Sequence, residues 1–394
     1  MGCLFSRSTP PAPPRATTSK LPTKTRPNFG KPAGLNRDDF VVKNVARDSF
    51  VCKHPGSING QQFMVEDCAD ATIFLLDHMA QLTVDNCTNT ILVTGPVEGS
   101  VFLRDCTNCC FVVACQQLRL RNCTDCKVLL FASTGPIIEA SSGVGFGCYP
   151  LSYFDLVSQF ERAGLDPFQN GWQVAFDFTP AAAGPQNYHC LPLEVYADLP
   201  ALLQLDRTLP DAADRDALVA QGYSFLDRNG GGALNAVPNS YGLMAGWVEA
   251  DIQTNDGRRC ALVLAPIAAR EDVRRCLEQC PALYHPQAST PFSVSNHLLL
   301  VRSGVTPVPP DRLAMLLAPL PTGRSVTAGT DSAKALQQSS HILALQFLLP
   351  TGTGSVSVVD LLGLGDGKTY YWCEGSKWAA ERAKMVLEDW VEKT

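Results

Sequence analysis

The sequence predicts a mixed protein: a right-handed parallel β-helix followed by an α+β domain of the ferredoxin-like kind. Three observations predict it. The motif [DN]-C-[AT]-[DN] occurs as Asp67-Cys68-Ala69-Asp70, Asn86-Cys87-Thr88-Asn89, Asp105-Cys106-Thr107-Asn108 and Asn122-Cys123-Thr124-Asp125, with its cysteines 19, 19 and 17 residues apart. The residue three before each cysteine is apolar (Val65, Val84, Leu103, Leu120), and so is the residue five before (Phe63, Leu82, Val101, Leu118). In the C-terminal third, strand-like and helix-like runs alternate. The domain plan is a tail over 1–39, a β-helix with a C-terminal cap over 40–180, a linker over 181–240 and an α+β domain over 241–394.

The chain has 394 residues, 45% hydrophobic and 18% charged, with a net charge of −6. That length fits two domains, and the composition is globular. No run of about 18 uncharged apolar residues occurs, so no membrane-spanning helix is expected. The start lacks the apolar core of a secretory signal. Sixteen cysteines, in a large chain without such a signal and recurring at a structural period, point to reduced thiols rather than a disulfide framework. The acidic balance argues against nucleic acid as a partner.

The tail is basic and rich in proline. Arg7, Arg15, Lys20, Lys24, Arg26 and Lys31 meet no acidic residue through position 31. Pro10, Pro11, Pro13, Pro14, Pro22 and Pro27 keep such a segment extended. It opens Met1-Gly2-Cys3-Leu4-Phe5-Ser6, the N-myristoylation pattern with Gly2 as acceptor, and Cys3 beside it suits palmitoylation. One myristoyl chain binds membranes with an association constant of about 10⁴ M⁻¹, so stable anchoring needs a second signal. Cys3 and the attraction of the basic tail to anionic headgroups both supply one. The plainer alternative is a chance Met-Gly start.

Each motif is followed by a strand: Ile73–Leu76, Ile91–Thr94, Phe111–Ala114 and Val128–Phe131 are rich in branched and aromatic residues. A second short strand precedes the next motif. Short strands joined by Asn, Asp, Gly and Pro corners at this period describe a β-helix, here about six coils over Phe40 to Gly147. Coils lie about 4.8 Å apart, so equivalent side chains stack in columns. The cysteine column is expected inward, since a free thiol packs as a small hydrophobe. A helix near Ser152–Leu165, with Phe154, Val157, Phe160 and Leu165 on its apolar face, is expected to supply the cap. Cys106/Cys109 and Cys123/Cys126 make CxxC pairs, a zinc pattern when isolated. The ladder explains them without metal: the first cysteines belong to the repeat, and the second replace Ala71 and Thr90 of sister coils.

The column between the two apolar ones reads Met64, Thr83, Phe102 and then Arg119. Alternation puts Leu118 and Leu120 inward and Gln117, Arg119 and Arg121 outward. With Ile138 and Ala140 inward in the next coil, Glu139 is expected in the same outward column as Arg119, one coil away. A carboxylate there holds a guanidinium extended. Phe102, on the other side, suggests a partner surface. The bland alternative is a surface ion pair, contributing about 0–1 kcal/mol.

Cys115-Gln116-Gln117-Leu118-Arg119-Leu120-Arg121 resembles the signature of the tubulin-cofactor-C-like domain family. Gly60-Gln61-Gln62-Phe63, Phe74–His78, Gly95–Phe102 and Pro136–Glu139 extend the resemblance. With Met1-Gly2-Cys3 and Phe176–Pro180, the match is to the family's retinitis pigmentosa 2 branch. The resemblance implies a GTPase-activating protein for an Arf-like small GTPase in its GTP state, acting in ciliary traffic of lipidated cargo. Its place would be the cytoplasmic face of the plasma membrane, the cilium or the basal body. It implies Arg119 as an arginine finger, Gln116 as its companion at the GTPase active site, and Glu139 as the acid orienting the finger. Phe102, Gln117 and Arg121 are expected to contact the partner. No metal or cofactor of its own is implied; the GTPase brings GTP and Mg²⁺. Two departures stand out. Leu118 occupies a place often aromatic in relatives, and Arg121 one where tubulin cofactor C commonly has His. A non-catalytic effector or scaffold, and a tubulin-folding cofactor, are the alternatives.

In the C-terminal half, Cys260–Leu264, His297–Val301 and Leu343–Leu349 read as strands, and Glu271–Cys280, Asp311–Leu317 and Lys377–Val391 as helices. The resembling family carries a nucleoside-diphosphate-kinase-like domain here. His285, His297 and His341 all lack the Asn-x-x-His-Gly-Ser-Asp setting of a phosphate-accepting histidine, so no kinase activity is expected. Gly363, Gly365 and Gly367 read as turn glycines rather than a phosphate loop.

Overall fold

The computed structural model describes residues 36–46, 49–151, 153–182, 186–191, 260–280, 298–307, 310–317, 325–326, 330–349, 356–364 and 371–374, with a few isolated positions besides. The tail with Gly2 and Cys3, most of the expected linker and most of the last expected helix lie outside the described residues.

The first part is the parallel β-helix. Its strands are β1 (Val41–Lys43), β2 (Phe50–Lys53), β3 (Gln62–Glu66), β4 (Thr72–Leu75), β5 (Gln81–Asp85), β6 (Ile91–Arg104), β7 (Cys110–Arg121), β8 (Lys127–Ala132), β9 (Ile137–Glu139) and β10 (Val144–Cys148). After α1 (Leu156–Arg162) come β11 (Phe176–Asp177) and β12 (Tyr188–Cys190). One wall stacks β1, β3, β5, the second halves of β6 and β7, β9 and β11, all parallel. Another wall stacks β2, β4, the first halves of β6 and β7, β8, β10 and β12. The corner is a column of isolated bridges through Ala46, Ala69, Thr88, Thr107, Thr124 and Ser142, which marks six coils.

That corner explains the motif. Its first and fourth residues adopt the left-handed conformation: Asp67, Asn86, Asp105 and Asn122 have φ of 52–55°, and Asp70, Asn89, Asn108 and Asp125 of 48–53°. Asn and Asp tolerate this region better than other non-glycine residues. Their side chains also bond from coil to coil, as in Asn86 Nδ2 to Asp67 Oδ1 at 2.8 Å and Asn122 Nδ2 to Asp105 Oδ1 at 3.0 Å. The cysteine column is buried as expected. Each thiol donates to the carbonyl two residues earlier, Cys68 to Glu66 O at 3.3 Å and Cys106 to Arg104 O at 3.2 Å. Cys109 makes the bonds that Thr90 makes one coil earlier, to Cys87 O and Thr107 O. A thiol and a hydroxyl are therefore interchangeable in these columns.

The corner also reveals two copies that lack the cysteine. Asn44-Val45-Ala46 opens the ladder, and Ala140-Ser141-Ser142-Gly143 closes it, with Ala140 at φ 47° and Gly143 at 65°. Ser141 Oγ donates to Glu139 O at 2.9 Å, taking the cysteine's role.

Helix α1 differs from the expected cap. Leu156, Gln159 and Phe160 face inward, whereas Phe154 and Val157 are exposed. The helix lies along the side of the coils: Gln159 Nε2 donates to Leu76 O at 3.0 Å, and Phe160 meets Phe131 edge-on at 5.1 Å. Gly95 allows this, because a Cβ there would lie 2.7 Å from Gln159 Oε1 and 2.8 Å from the Tyr153 hydroxyl. The β-helix also continues beyond the expected boundary at 180, since β12 pairs with β10.

The second part is built on β13 (Cys260–Pro266), α2 (Arg270–Gln279), β14 (Leu299–Thr306), α3 (Pro310–Leu317), β15 (Ser325–Val326), α4 (Thr330–Gln338), β16 (Ile342–Leu348), α5 (Val358–Leu362) and β17 (Tyr371–Glu374). The antiparallel sheet has the order β14-β16-β13-β17-β15. Without the short β15, its strands follow the second-third-first-fourth order of a ferredoxin-like sheet. Ala261, Val263, Leu343 and Leu345 face one core with α2 and α5. Cys260, Leu262, Leu264 and Val301 share the other buried cluster with the β-helix core. Of the three glycines read as turns, Gly363 is described, and its φ of 66° is that of a turn.

Candidate functional site

The wall that carries β3, β5, β6, β7 and β9 presents two outward columns. One reads Met64, Thr83, Phe102, Arg119, Ile137 and Phe176. The other reads Lys43, Glu66, Asp85, Arg104, Arg121 and Glu139. Strand alternation separates them by two residues along each strand. The first is mostly apolar with a single guanidinium; the second is charged throughout.

Strand β7 places the side chains as alternation requires. Leu118 and Leu120 are buried, Arg119 and Arg121 are exposed and Gln117 is half-buried. Leu118 is 0% exposed, so its departure from an aromatic is a matter of packing. The strand bends at Cys115–Gln117, where the pairing with β6 shifts, and the bend leaves Gln116 exposed as well. Thr134 holds the bend, donating N–H and Oγ1–H to Gln116 O, each at 3.1 Å. Phe102, half-buried, is the β6 neighbour of Arg119.

Glu139 is not where the sequence pattern puts it. Its register partner is Arg121, and Arg119 stands beside Ile137. The reason is the corner: Ala140 takes the first motif position in the left-handed region. Glu139 is therefore the residue before the motif, equivalent to Arg121 and Arg104. Had Ala140-Ser141-Ser142-Gly143 been read as a motif copy, the register would have followed. Glu139 and Arg119 are diagonal neighbours, about 8 Å apart in backbone by the 4.8 Å and 3.3 Å spacings of a sheet. Among the described residues, no carboxylate lies within ion-pair distance of Arg119. Its guanidinium is instead steadied by Gln117, Nε donating to Oε1 at 3.1 Å. Arg104 is engaged differently, in a bidentate pair with Asp85.

Two residues were missed as parts of this face. Phe176 and Phe178 are exposed, and Phe176 extends the Arg119 column through its pairing with Ile137. Phe178 N donates to Ile138 O at 2.9 Å, which brings Phe178 beside Glu139. Two exposed aromatics at alternate positions were the available signal. No group of metal-holding geometry occurs among the described residues.

Residues 60–178 match the family model described as Tubulin binding cofactor C. Protein XRP2 of Gallus gallus is 33% identical over 219 residues, 52% of this chain and 60% of that protein. Protein XRP2 of Danio rerio is 46% identical over 165 residues, 42% of this chain and 43% of that protein. Tubulin-specific chaperone C of Homo sapiens is 31% identical over 188 residues, 47% of this chain and 52% of that protein. The chain thus spans about half the length of the curated relatives it matches. Residues 60–178 are thus similar to the tubulin binding cofactor C family, in a chain similar over about half its length to Protein XRP2.

Proposed function

We propose that this chain is a GTPase-activating protein that supplies Arg119 in trans to the GTP-bound form of an Arf-like small GTPase. The observation that carries the reading is Arg119 itself. It is an exposed guanidinium on a rigid strand, flanked by Phe102 and Ile137, with no carboxylate in ion-pair distance among the described residues. Such a group is available to a phosphate. In phosphoryl transfer, negative charge spreads over the equatorial oxygens, and an arginine supplied in trans stabilises it by about 10³–10⁵ in rate. The apolar column exposes Met64 and Phe176, and Phe178 stands beside it. A partner packing on this face excludes water and strengthens the charge interaction.

In this reading Gln116 meets the GTPase active site beside the finger. Glu139 reaches Arg119 diagonally once the partner covers the face. Phe102, Gln117 and Arg121 contact the partner around it. The GTPase brings GTP and Mg²⁺, and the activator contributes no cofactor. Gly2 and Cys3 carry the lipid anchors that, with the basic tail, hold the protein at the cytoplasmic face of the plasma membrane and at the cilium or basal body. Its role there is traffic of lipidated cargo.

The similarity to Tubulin-specific chaperone C favours a second reading, a tubulin-folding cofactor. A pulldown against small GTPases locked with GTP or GDP, followed by single-turnover hydrolysis with the partner retained, separates the readings. Faster hydrolysis supports activation. Retention without acceleration indicates an effector or scaffold. Release of tubulin from a folding complex, without GTPase retention, indicates the tubulin reading.

A further inference from the structure

Residues 166–174 are bonded on both sides. Toward the C-terminal sheet, Arg270 Nη1 donates to Asp166 Oδ2 at 3.1 Å and its guanidinium lies 5.8 Å over the Phe168 ring. Val305 N donates to Gln169 Oε1 at 2.6 Å, and Gln173 Nε2 to Val301 O at 2.9 Å. Asn170 forms an antiparallel bridge with Ser303. The segment thus covers β14, the edge strand of that sheet, whose outer N–H and C=O groups need partners.

Toward the β-helix, Gly171 N donates to Ala132 O at 2.7 Å, and Ala132 N to Asn170 Oδ1 at 3.2 Å. The following turn is in direct contact: a Cβ on Gly135 would lie 2.0 Å from Val174 O, so only glycine fits. Two aromatic anchors hold the ends. Phe168 is buried in the C-terminal core with Ala261, Val263 and Phe347, and Trp172 is buried in the cluster of the β-helix core.

The turn that this segment grips is the one that holds the candidate site. Ser133 N donates to Cys115 O at 3.1 Å, and Thr134 bonds Gln116 O twice. We infer that residues 166–174 are a strap through which the C-terminal sheet positions the Gln116–Arg119 strand. The C-terminal domain is then a positioning partner of the site rather than a tethered module. The strap has discrete contacts at both ends, so releasing one end changes the order of the other. The effect on hydrolysis rests on the proposed function; the effect on the turn does not.

The test uses the full chain and Phe168→Ala, which removes one anchor. Amide hydrogen exchange at Thr134 reads the bond to Gln116 O directly. Exchange there is expected to be at least tenfold faster than in the wild type, with Val84, several coils away, unchanged. If Val84 also loses protection, the double variant Arg270→Ala/Gln173→Ala is judged by the same criterion. With the GTP-loaded Arf-like GTPase retained in the pulldown, the maximal single-turnover rate is expected to fall at least threefold while affinity stays within twofold. Wild-type exchange at Thr134 in both variants overturns the strap. Faster exchange with an unchanged maximal rate overturns its role in positioning. If the wild-type chain accelerates no GTPase, the proposed function fails, and Thr134 still decides the strap.

Discussion

Replacing Asp77 by asparagine removes one charge from the interior while keeping the shape of the side chain. Asp77 is 0% exposed. Its carboxylate accepts N–H bonds from Ile58 at 2.8 Å, Asn59 at 2.7 Å and His78 at 2.9 Å. These bonds fix the loop in which Asn59 and Gly60 adopt positive φ. Burial opposes the charge, but the N–H donors of Asn59, Ile58, Gly56 and His78 outweigh it and hold the carboxyl below the usual range. A bond to a charged acceptor contributes about 1.5–3 kcal/mol and one to a neutral acceptor about 0.5–1.5 kcal/mol. The difference is about 1 kcal/mol per bond, so Asp77→Asn is expected to cost about 3 kcal/mol at pH 7. The sign of the pH dependence follows from the depressed folded-state pKa. This stability is present above the unfolded carboxyl value of about 3.9 and is lost as pH falls through the lower folded value. Urea titrations followed by far-ultraviolet circular dichroism, from pH 7 stepwise to pH 3, give the comparison. The difference between wild type and variant is expected to narrow as pH falls below about 3.9. A difference below about 1 kcal/mol at pH 7, or one that persists unchanged into acid, refutes the reasoning.

Three further outcomes are expected. Burial pushes the Cys110 thiol up to about 12 and Cys115 higher still, so both are expected to resist iodoacetamide in the native protein at pH 7.5; labelling mapped by mass spectrometry checks this, and native-state modification of either counts against the packed core. Leu118→Ala opens a cavity beneath the site strand and is expected to cost about 2–5 kcal/mol, read as a shift in the urea midpoint. Gly2→Ala is expected to move the protein from membranes to the soluble fraction; unchanged membrane localisation contradicts the lipid anchor.

Much of the β-helix was legible because its period is written in residues with narrow conformational roles. Asn and Asp mark the left-handed corners, and apolar residues mark the inward columns. The outward direction of Arg119 followed from alternation alone. The register of β9 did not, because its corner is Ala140-Ser141-Ser142-Gly143, with neither the Cys nor the Asn of its sisters. One misread corner moved Glu139 by two residues along the strand. The placement of α1 was hidden for another reason: Gln159, a polar residue, is one of its buried contacts, and it finds its partner in Leu76 O, far away in sequence. The strap was hidden likewise, since Gln169, Asn170 and Gln173 look like surface residues until β14 is beside them. In the C-terminal part, β13, β14, β16 and α2 were readable from apolar patterning, because β13 and β16 are buried on both faces.

Single-turnover GTP hydrolysis by the Arf-like partner, with wild type, Arg119→Ala and Arg119→Lys, is the most direct measurement. Wild type is expected to accelerate hydrolysis by about 10³-fold or more. Arg119→Ala is expected to lose nearly all of that while still binding the GTP-bound partner, and Arg119→Lys to recover little, since a lysine lacks the planar fork of donors. An Arg119→Ala protein that accelerates hydrolysis as wild type does would contradict the assignment of Arg119 as the finger.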